Sequence, residues 1–451
     1  MHPSYFTSRI IQRPITNARH VRISQIWPYQ PHQLYALITS RNTQSATRPI
    51  TTATTSTSKN RIKQSSHLTI DKSGMRIATL QFAPRLGDVE GNIKRADMLL
   101  RLTPPEDGDG LHFVDGKPGI EELHPDILVL PEMAFSGYNF PSLEAITPYL
   151  EYQGKGPSAL WAQRTARRLK CKVCVGYPEI YRNPEVSSVN GTNENGLVTS
   201  PAKLYNSLVV VDEAGQVIHN YRKRFLYYTD DSWASEGEAE WSFKSLEFHT
   251  GMSDVDTTAA AIQPQTTRKS IQIPTTFGIC MDINPYKFEA PWDAYEFAHR
   301  VLDSQSHLVI LSAAWLTTDA DSLALKTGEL PDMDTFNYWL RRFWPLIEQK
   351  INYGDRQLEG FDSSTETKVI IVFANRTGME DGGPGCVIPH AVYAGTSTIV
   401  AITQKKDSSA LDVKIHCWGI KGAREEGICF ADTESEPEMA FVMKKIGDST
   451  D

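Results

Sequence analysis

Asp126-Ile-Leu-Val-Leu-Pro-Glu132 is a run of apolar residues closed by a proline and a carboxylate. A strand with one wet face alternates apolar with polar side chains, whereas an unbroken apolar run marks a strand buried on both faces, as in sheets covered by helices. Upstream, Arg76 to Phe82 alternates as a strand, Pro84 and Gly87 break it, and Asn92 to Leu102 has helical spacing with Ile93, Ala96 and Leu100 on one face. Downstream, Ser158 to Lys170 reads as a helix feeding the strand Cys171 to Gly176. Strand followed by helix, repeated, predicts an α/β fold.

The pattern continues to the far end of the chain. Leu204 to Val211 and Gln216 to Tyr221 are strands joined by the hairpin turn Asp212-Glu-Ala-Gly215. Ile271 to Ile279 is extended and ends at Cys280. Trp292 to Leu302 reads as a helix, His307 to Leu311 as a strand, and Asp334 to Gln349 as one long aromatic-rich helix. Lys368 to Ala374, Ser397 to Ile402 and Leu411 to His416 complete the strands. With no internal repeat and no linker, residues 75–451 read as one domain carrying surface insertions near 183–200 and 250–270.

Charge separates this body from what precedes it. Nine Lys and Arg but no Asp or Glu occur before Asp71, leaving 37 basic against 54 acidic residues for the rest of the 451. An acidic body argues against nucleic acid as a partner, and no apolar run reaches the roughly eighteen residues of a membrane span. Residues 1–74, rich in Ser, Thr, Gln and Arg, read as a disordered leader with the composition of a mitochondrial targeting segment. The other reading is an extension without a targeting role. The location expected is cytoplasmic or nuclear, or mitochondrial if the leader acts as an address.

The six cysteines are too sparse for a disulfide framework. Cys171-Lys-Val-Cys174 has metal or redox spacing, but it lies in a strand whose successive side chains face opposite ways, and no second pair completes a zinc site. Strand packing is the reading adopted. Nothing in the sequence calls for a metal or cofactor.

Three strand ends carry reactive groups: Glu132 after Leu128-Val-Leu-Pro, Lys223 in Tyr221-Arg-Lys, and Cys280 in Phe277-Gly-Ile-Cys-Met-Asp282. Taken singly, the first is a helix cap, the second a member of a solvated basic cluster, and the third a small buried hydrophobe. Together they supply what amide hydrolysis needs. A thiol attacks, a carboxylate moves protons, and an ammonium stabilises the oxyanion.

In this order the three motifs resemble those of the carbon–nitrogen hydrolase, or nitrilase, superfamily. The resemblance implies a nitrilase-like four-layer α-β-β-α sandwich, Cys280 as nucleophile, Glu132 as acid and base, Lys223 at the oxyanion, and Glu236 or its neighbour Glu238 as a supporting acid. More narrowly, Leu130-Pro-Glu-Met-Ala-Phe-Ser-Gly-Tyr138, Arg222-Lys-Arg-Phe-Leu-Tyr-Tyr228, Gly278-Ile-Cys-Met-Asp-Ile-Asn-Pro-Tyr286, Ala313-Ala-Trp-Leu316 and Asn375-Arg-Thr-Gly378 are similar to the branch acting on N-terminal Asn and Gln. Met281 and Ile283-Asn-Pro285 depart from the usual nitrilase pattern and set its usual substrates aside. The partners implied are N-terminal Asn or Gln peptides or proteins, with a small ω-amide or carbamoyl amine as the alternative substrate and a non-catalytic peptide binder as the rival class. A monomer or homodimer is implied. A free α-ammonium requires an acid near the cysteine, for which Asp282, Asp231, Glu289 and Asp293 are available, and Trp315 could wall the pocket or pack in the core.

Overall fold

Strand β1 (Arg76–Gln81) is parallel to β2 (Ile127–Val129), and β2 in turn to β4 (Lys172–Tyr181), which also carries the short β3 (Glu151–Tyr152). The computed structural model describes residues 74–102, 117–182, 202–250, 269–318, 320, 329–353, 366–406 and 413–442. The expected leader and the bulk of both expected insertions lie outside these residues. Antiparallel strands β5 (Lys203–Val211) and β6 (Val217–Arg222) extend the first sheet on one side. The hairpin between them closes as expected, Asp212 Oδ1 accepting from Gln216 N at 2.7 Å and Gly215 taking φ +76°.

A second sheet is built from β7 (Phe243–Thr250), β8 (Lys269–Ile279), β9 (Leu308–Ala313) and β10 (Glu366–Asn375). A small hairpin, β11 (Met379–Asp381) with β12 (His390–Val392), stands apart from both sheets. Strands β13 (Thr398–Lys405) and β14 (Val413–Ile420) then rejoin the second sheet, β15 (Gly427–Asp432) crosses back to pair with β1, and β16 (Met439–Val442) closes the second sheet on β14. The spatial orders are β15-β1-β2-β4-β5-β6 and β16-β14-β13-β10-β9-β8-β7.

Three apolar layers bind this arrangement. Ile77, Ile127, Val129, Leu208 and Val210 of the first sheet meet Phe277, Ile279, Ile310, Ile370 and Val372 of the second. Helices α1 (Val89–Leu100) and α4 (Pro157–Leu169) cover the outer face of the first sheet through Ala96, Leu100, Trp161 and Ala166, the shorter α2 (Ile120–Leu123) adds Ile120, and α3 (Leu143–Ile146) packs Ile146 in a separate cluster with Met133, Tyr138 and Trp233. Helices α5 (Glu296–Asp303), α6 (Met333–Arg342) and α7 (Trp344–Glu348) cover the second with Phe297, Val301, Trp339 and Leu346. The result is the four-layer α-β-β-α sandwich. Burial at about 25 cal/mol per Å² of apolar area holds the layers together. Stacking of Trp339 on Phe373, centroids 4.6 Å apart, adds on the order of 1 kcal/mol.

Several local expectations shift. Thr79 and Gln81 of β1 are buried, not wet, and Gln81 is paired internally: its Nε2 donates to Gly422 O at 2.7 Å and its Oε1 accepts from Ser397 N at 2.7 Å. The long helix from Asp334 divides at Phe343, because Pro345 has no N–H to continue the first helix and suits the opening turn of the next. The helix expected from Trp292 begins at Glu296, after a 3-10 turn and Tyr295 at φ +41°. Cys171 packs on the helix side of the first sheet and Cys174 between the sheets, with burial pushing the Cys174 thiol up to about 12. They face opposite ways, as strand geometry requires.

Candidate active site

Parallel strands deliver their carboxyl ends to one edge of the sandwich, where turns are free to carry chemistry. Glu132 follows β2, Lys223 follows β6, Cys280 follows β8 and Ala314 follows β9. The Glu132 turn lies so close to β4 that a Cβ on Gly176 would fall 2.7 Å from Glu132 Cα, so only glycine admits the approach. Lys223 Nζ donates to Glu132 Oε1 at 2.7 Å and to Asp230 Oδ2 at 2.6 Å, with all three side chains fully buried. Asn206 on β5 joins the same two acids, its Nδ2 donating to Glu132 Oε1 at 2.7 Å and to Asp230 Oδ1 at 3.0 Å. Ala314 N donates to the free Glu132 oxygen, Oε2, at 2.7 Å.

Cys280 stands at the start of a 3-10 turn, Cys280–Ile283, in the left-handed region at φ +42°. A non-glycine residue there costs about 1 kcal/mol or more, so the surroundings must impose it. Asp282 does so. Its Oδ2 accepts from Ile279 N and Tyr221 Oη, both at 2.7 Å, and its Oδ1 from Phe225 N at 2.9 Å and Arg224 N at 3.1 Å. One buried carboxylate thus ties the cysteine turn to the two residues after Lys223. Asp282→Ala leaves three backbone N–H groups and a phenol without an acceptor, each costing about 1–3 kcal/mol. The expected outcome is a loss of several kcal/mol in denaturant unfolding, or failure to fold, and a stability within about 1 kcal/mol of the parent would refute this account.

Electrostatics sets the resting protonation. Burial raises the pKa of Glu132, and the Asp230 carboxylate raises it further, while Lys223 and Asn206 pull it down. Burial and then Glu132 push the Cys280 thiol well above its ordinary value, against the pull of Lys223 and of the Ala314 N–H. For Lys223, burial favours the neutral amine, but Asp230 and Glu132 more than reverse this and hold it as ammonium. The cluster therefore holds a neutral Cys280 thiol beside Glu132, with the Lys223 ammonium shared between Glu132 and Asp230. Cys280 alone among Cys280, Lys223, Glu132 and Asp230 keeps partial access to solvent.

A second buried network positions the wall. Glu380 accepts from Tyr138 N at 3.1 Å, Asn139 N at 3.0 Å and Tyr393 Oη at 2.6 Å, and is paired with Arg376. Tyr138 donates in turn to Asp230 Oδ2 at 3.2 Å, and Lys223 Nζ lies 5.5 Å from its ring centre.

The structure brings Glu132, Lys223 and Cys280 to one place, but it redistributes the other expected residues. Glu236 is exposed and accepts from Tyr286 Oη at 2.8 Å, so the acid beside Lys223 is Asp230, and Glu238 is also exposed. Asp282 is fully occupied by four donors and has no oxygen left for a substrate amine. Asp231, Glu289 and Asp293 are exposed, with Asp231 near Lys287 at the surface. Trp315 is half-buried, its ring 5.4 Å from Tyr338 and 5.9 Å from Trp339, while Tyr338 Oη donates to Asn284 Oδ1 at 2.6 Å. Trp315 therefore packs on α6 at the side of the cysteine turn. Asp230, Asn206 and the Ala314 N–H were not singled out from sequence. Only Asn206-Ser207, a polar pair inside the apolar β5, carried a signal.

Two face-packed sheets with an accessible thiol beside a buried carboxylate–ammonium pair define a nitrilase-fold hydrolase. A family model described as carbon–nitrogen hydrolase matches residues 76–283, from β1 through the cysteine turn. Residues 76–283 are thus a carbon–nitrogen hydrolase domain, the unit of a hydrolase acting on carbon–nitrogen bonds other than peptide bonds. The chain is 28% identical over 373 residues to the protein N-terminal amidase of Schizosaccharomyces pombe, a match covering 80% of this chain and 100% of the relative. Among solved structures it is similar to an N-terminal amidase with an Asn-Glu-Ala peptide, at 22% identity and a TM-score of 0.55. It is also similar to an N-terminal amidase with a Gln-Gly peptide, at 21% identity and a TM-score of 0.57. Each of these structural matches covers 82% of this chain and 99% of the other.

Proposed function

We propose that this protein hydrolyses the side-chain amide of N-terminal Asn and Gln in peptides or proteins, giving Asp and Glu and releasing ammonia. The observation that carries the chemistry is the half-buried Cys280 thiol next to the ion pair of Glu132 and Lys223. The similarity to N-terminal amidases, over 80% of this chain in one relative and 82% in a solved structure, supports the substrate.

Glu132 takes the thiol proton as Cys280 sulfur attacks the amide carbon, and the carbonyl oxygen becomes an oxyanion facing the Lys223 ammonium. Glu132 then returns the proton to the nitrogen, the C–N bond breaks, and ammonia leaves a thioester on Cys280. A water gives its proton to Glu132 and attacks the thioester, and the proton returns to sulfur as the acid departs. Each carboxamide consumes one water and yields one ammonia, with no redox change.

The test is ammonia release from Asn-Gly and Gln-Gly peptides compared with their N-acetylated forms. Release from the free peptides alone supports recognition of the α-ammonium. Equal release from both forms refutes it and favours a small ω-amide substrate.

A further inference from the structure

Asn206 is fully buried, and its amide is placed between the two acids of the site rather than against substrate. Because carboxylate oxygens only accept, the orientation of the amide is unambiguous: Nδ2 faces Glu132 and Asp230. Among the described residues its Oδ1 has no partner despite burial, so there the side chain is held by its donor end. Its backbone oxygen accepts from Lys223 N at 2.8 Å. One residue of β5 thereby fixes both the approach of the lysine and the spacing of the two acids.

We infer that Asn206 is a positioning residue that keeps Glu132 available as a base, by cross-linking the Glu132 and Asp230 carboxylates with one amide. This rests on the proposed reaction for its catalytic consequence, but not for its effect on the thiol. The other groups facing Glu132 come from every surrounding element: Tyr138 after β2, Lys223 and Asp230 after β6, Cys280 after β8 and Tyr393 after β12. Lys223 is the only cation among them. Two acids and a thiol compete for it, so a neutral donor shared by the acids matters more here than beside an isolated ion pair.

Losing a donor to a charged acceptor is expected to move the acid limb up by about one to two pH units. The experiment follows two readouts against pH in the full chain: alkylation of Cys280 by iodoacetamide, read by peptide mass mapping, and ammonia release from an Asn-Gly peptide. Asn206→Asp preserves shape but replaces the donor with an acid. Asn206→Ala removes the donor without adding an acid, so instability of one variant leaves the other to decide. The expected result is an upward displacement of the acid limb in both readouts, kcat lowered at least tenfold below the limb, and KM within about threefold of the parent. An acid limb that stays put, with any loss of activity following the loss of folded protein by circular dichroism, would reduce Asn206 to a filler and overturn the inference. If the parent releases no ammonia from either Asn or Gln peptides, the substrate assignment fails while the alkylation profile still tests Asn206.

Discussion

Cys280→Ala is expected to lower ammonia release from Asn-Gly and Gln-Gly peptides by roughly 10⁴-fold or more, the scale set by removing a covalent nucleophile, while the protein stays folded. Sulfur is the one group here that can form the thioester, and neither Glu132 nor Lys223 can replace it. Stability should change little because Cys280 is half-buried and its backbone is held by Asp282 through the Ile279 N–H rather than by its own side chain. A second variant separates the roles. Glycine accepts φ +42° without strain, so Cys280→Gly should be as inactive as Cys280→Ala yet about 1 kcal/mol more stable than it. Activity in either variant above one hundredth of the parent, after exclusion of contaminating parent enzyme, would remove Cys280 from the chemistry. Equal stability of the two would show that the turn stores no strain.

The layers of this fold were legible because apolar runs and turn residues are local properties. Asp126 to Leu130, His307 to Leu311 and Lys368 to Ala374 each announced a strand, and Gly215 announced its turn. The three reactive strand ends were legible for the same reason, since each lies where an apolar run stops. What could not be read was pairing across distance. Asp230 and Asp231 are identical neighbours in sequence, yet one is buried against Lys223 and the other is exposed. Their difference comes from the loop bringing Asp230 back onto Lys223, where Tyr227 N and Tyr138 Oη also bind it. Adjacency to the cysteine made Asp282 look like a substrate acid. Only the arrival of Tyr221, Arg224 and Phe225 from a distant strand and its turn shows that its oxygens are engaged. Glu236 failed as a choice for the converse reason: distance from Lys223 along the chain does not say which way the loop returns.

The same buried charges lead to a large effect on stability that depends on pH. Lys223→Met, which preserves much of the lysine's volume, leaves Glu132 and Asp230 sharing a dry site with Asn206 as their only common donor. Removing one partner of a buried ion pair costs about 3–5 kcal/mol, because the remaining charge loses its counter-ion and not its desolvation. The pH dependence has a definite sign. Glu132 is already raised with Lys223 present, and without the cation at least one carboxyl of the pair has a folded pKa far above its unfolded value. Stability of the variant relative to parent should therefore be retained below the unfolded carboxyl range and lost as pH rises through the folded pKa. Guanidinium unfolding at pH 5 and pH 8 reads this directly, with the deficit larger at pH 8. Adding Glu132→Gln to Lys223→Met removes one of the two competing charges and should recover part of the loss. A deficit equal at both pH values, or a double variant no more stable than Lys223→Met alone, would mean that the lysine holds this site together by packing and not by charge.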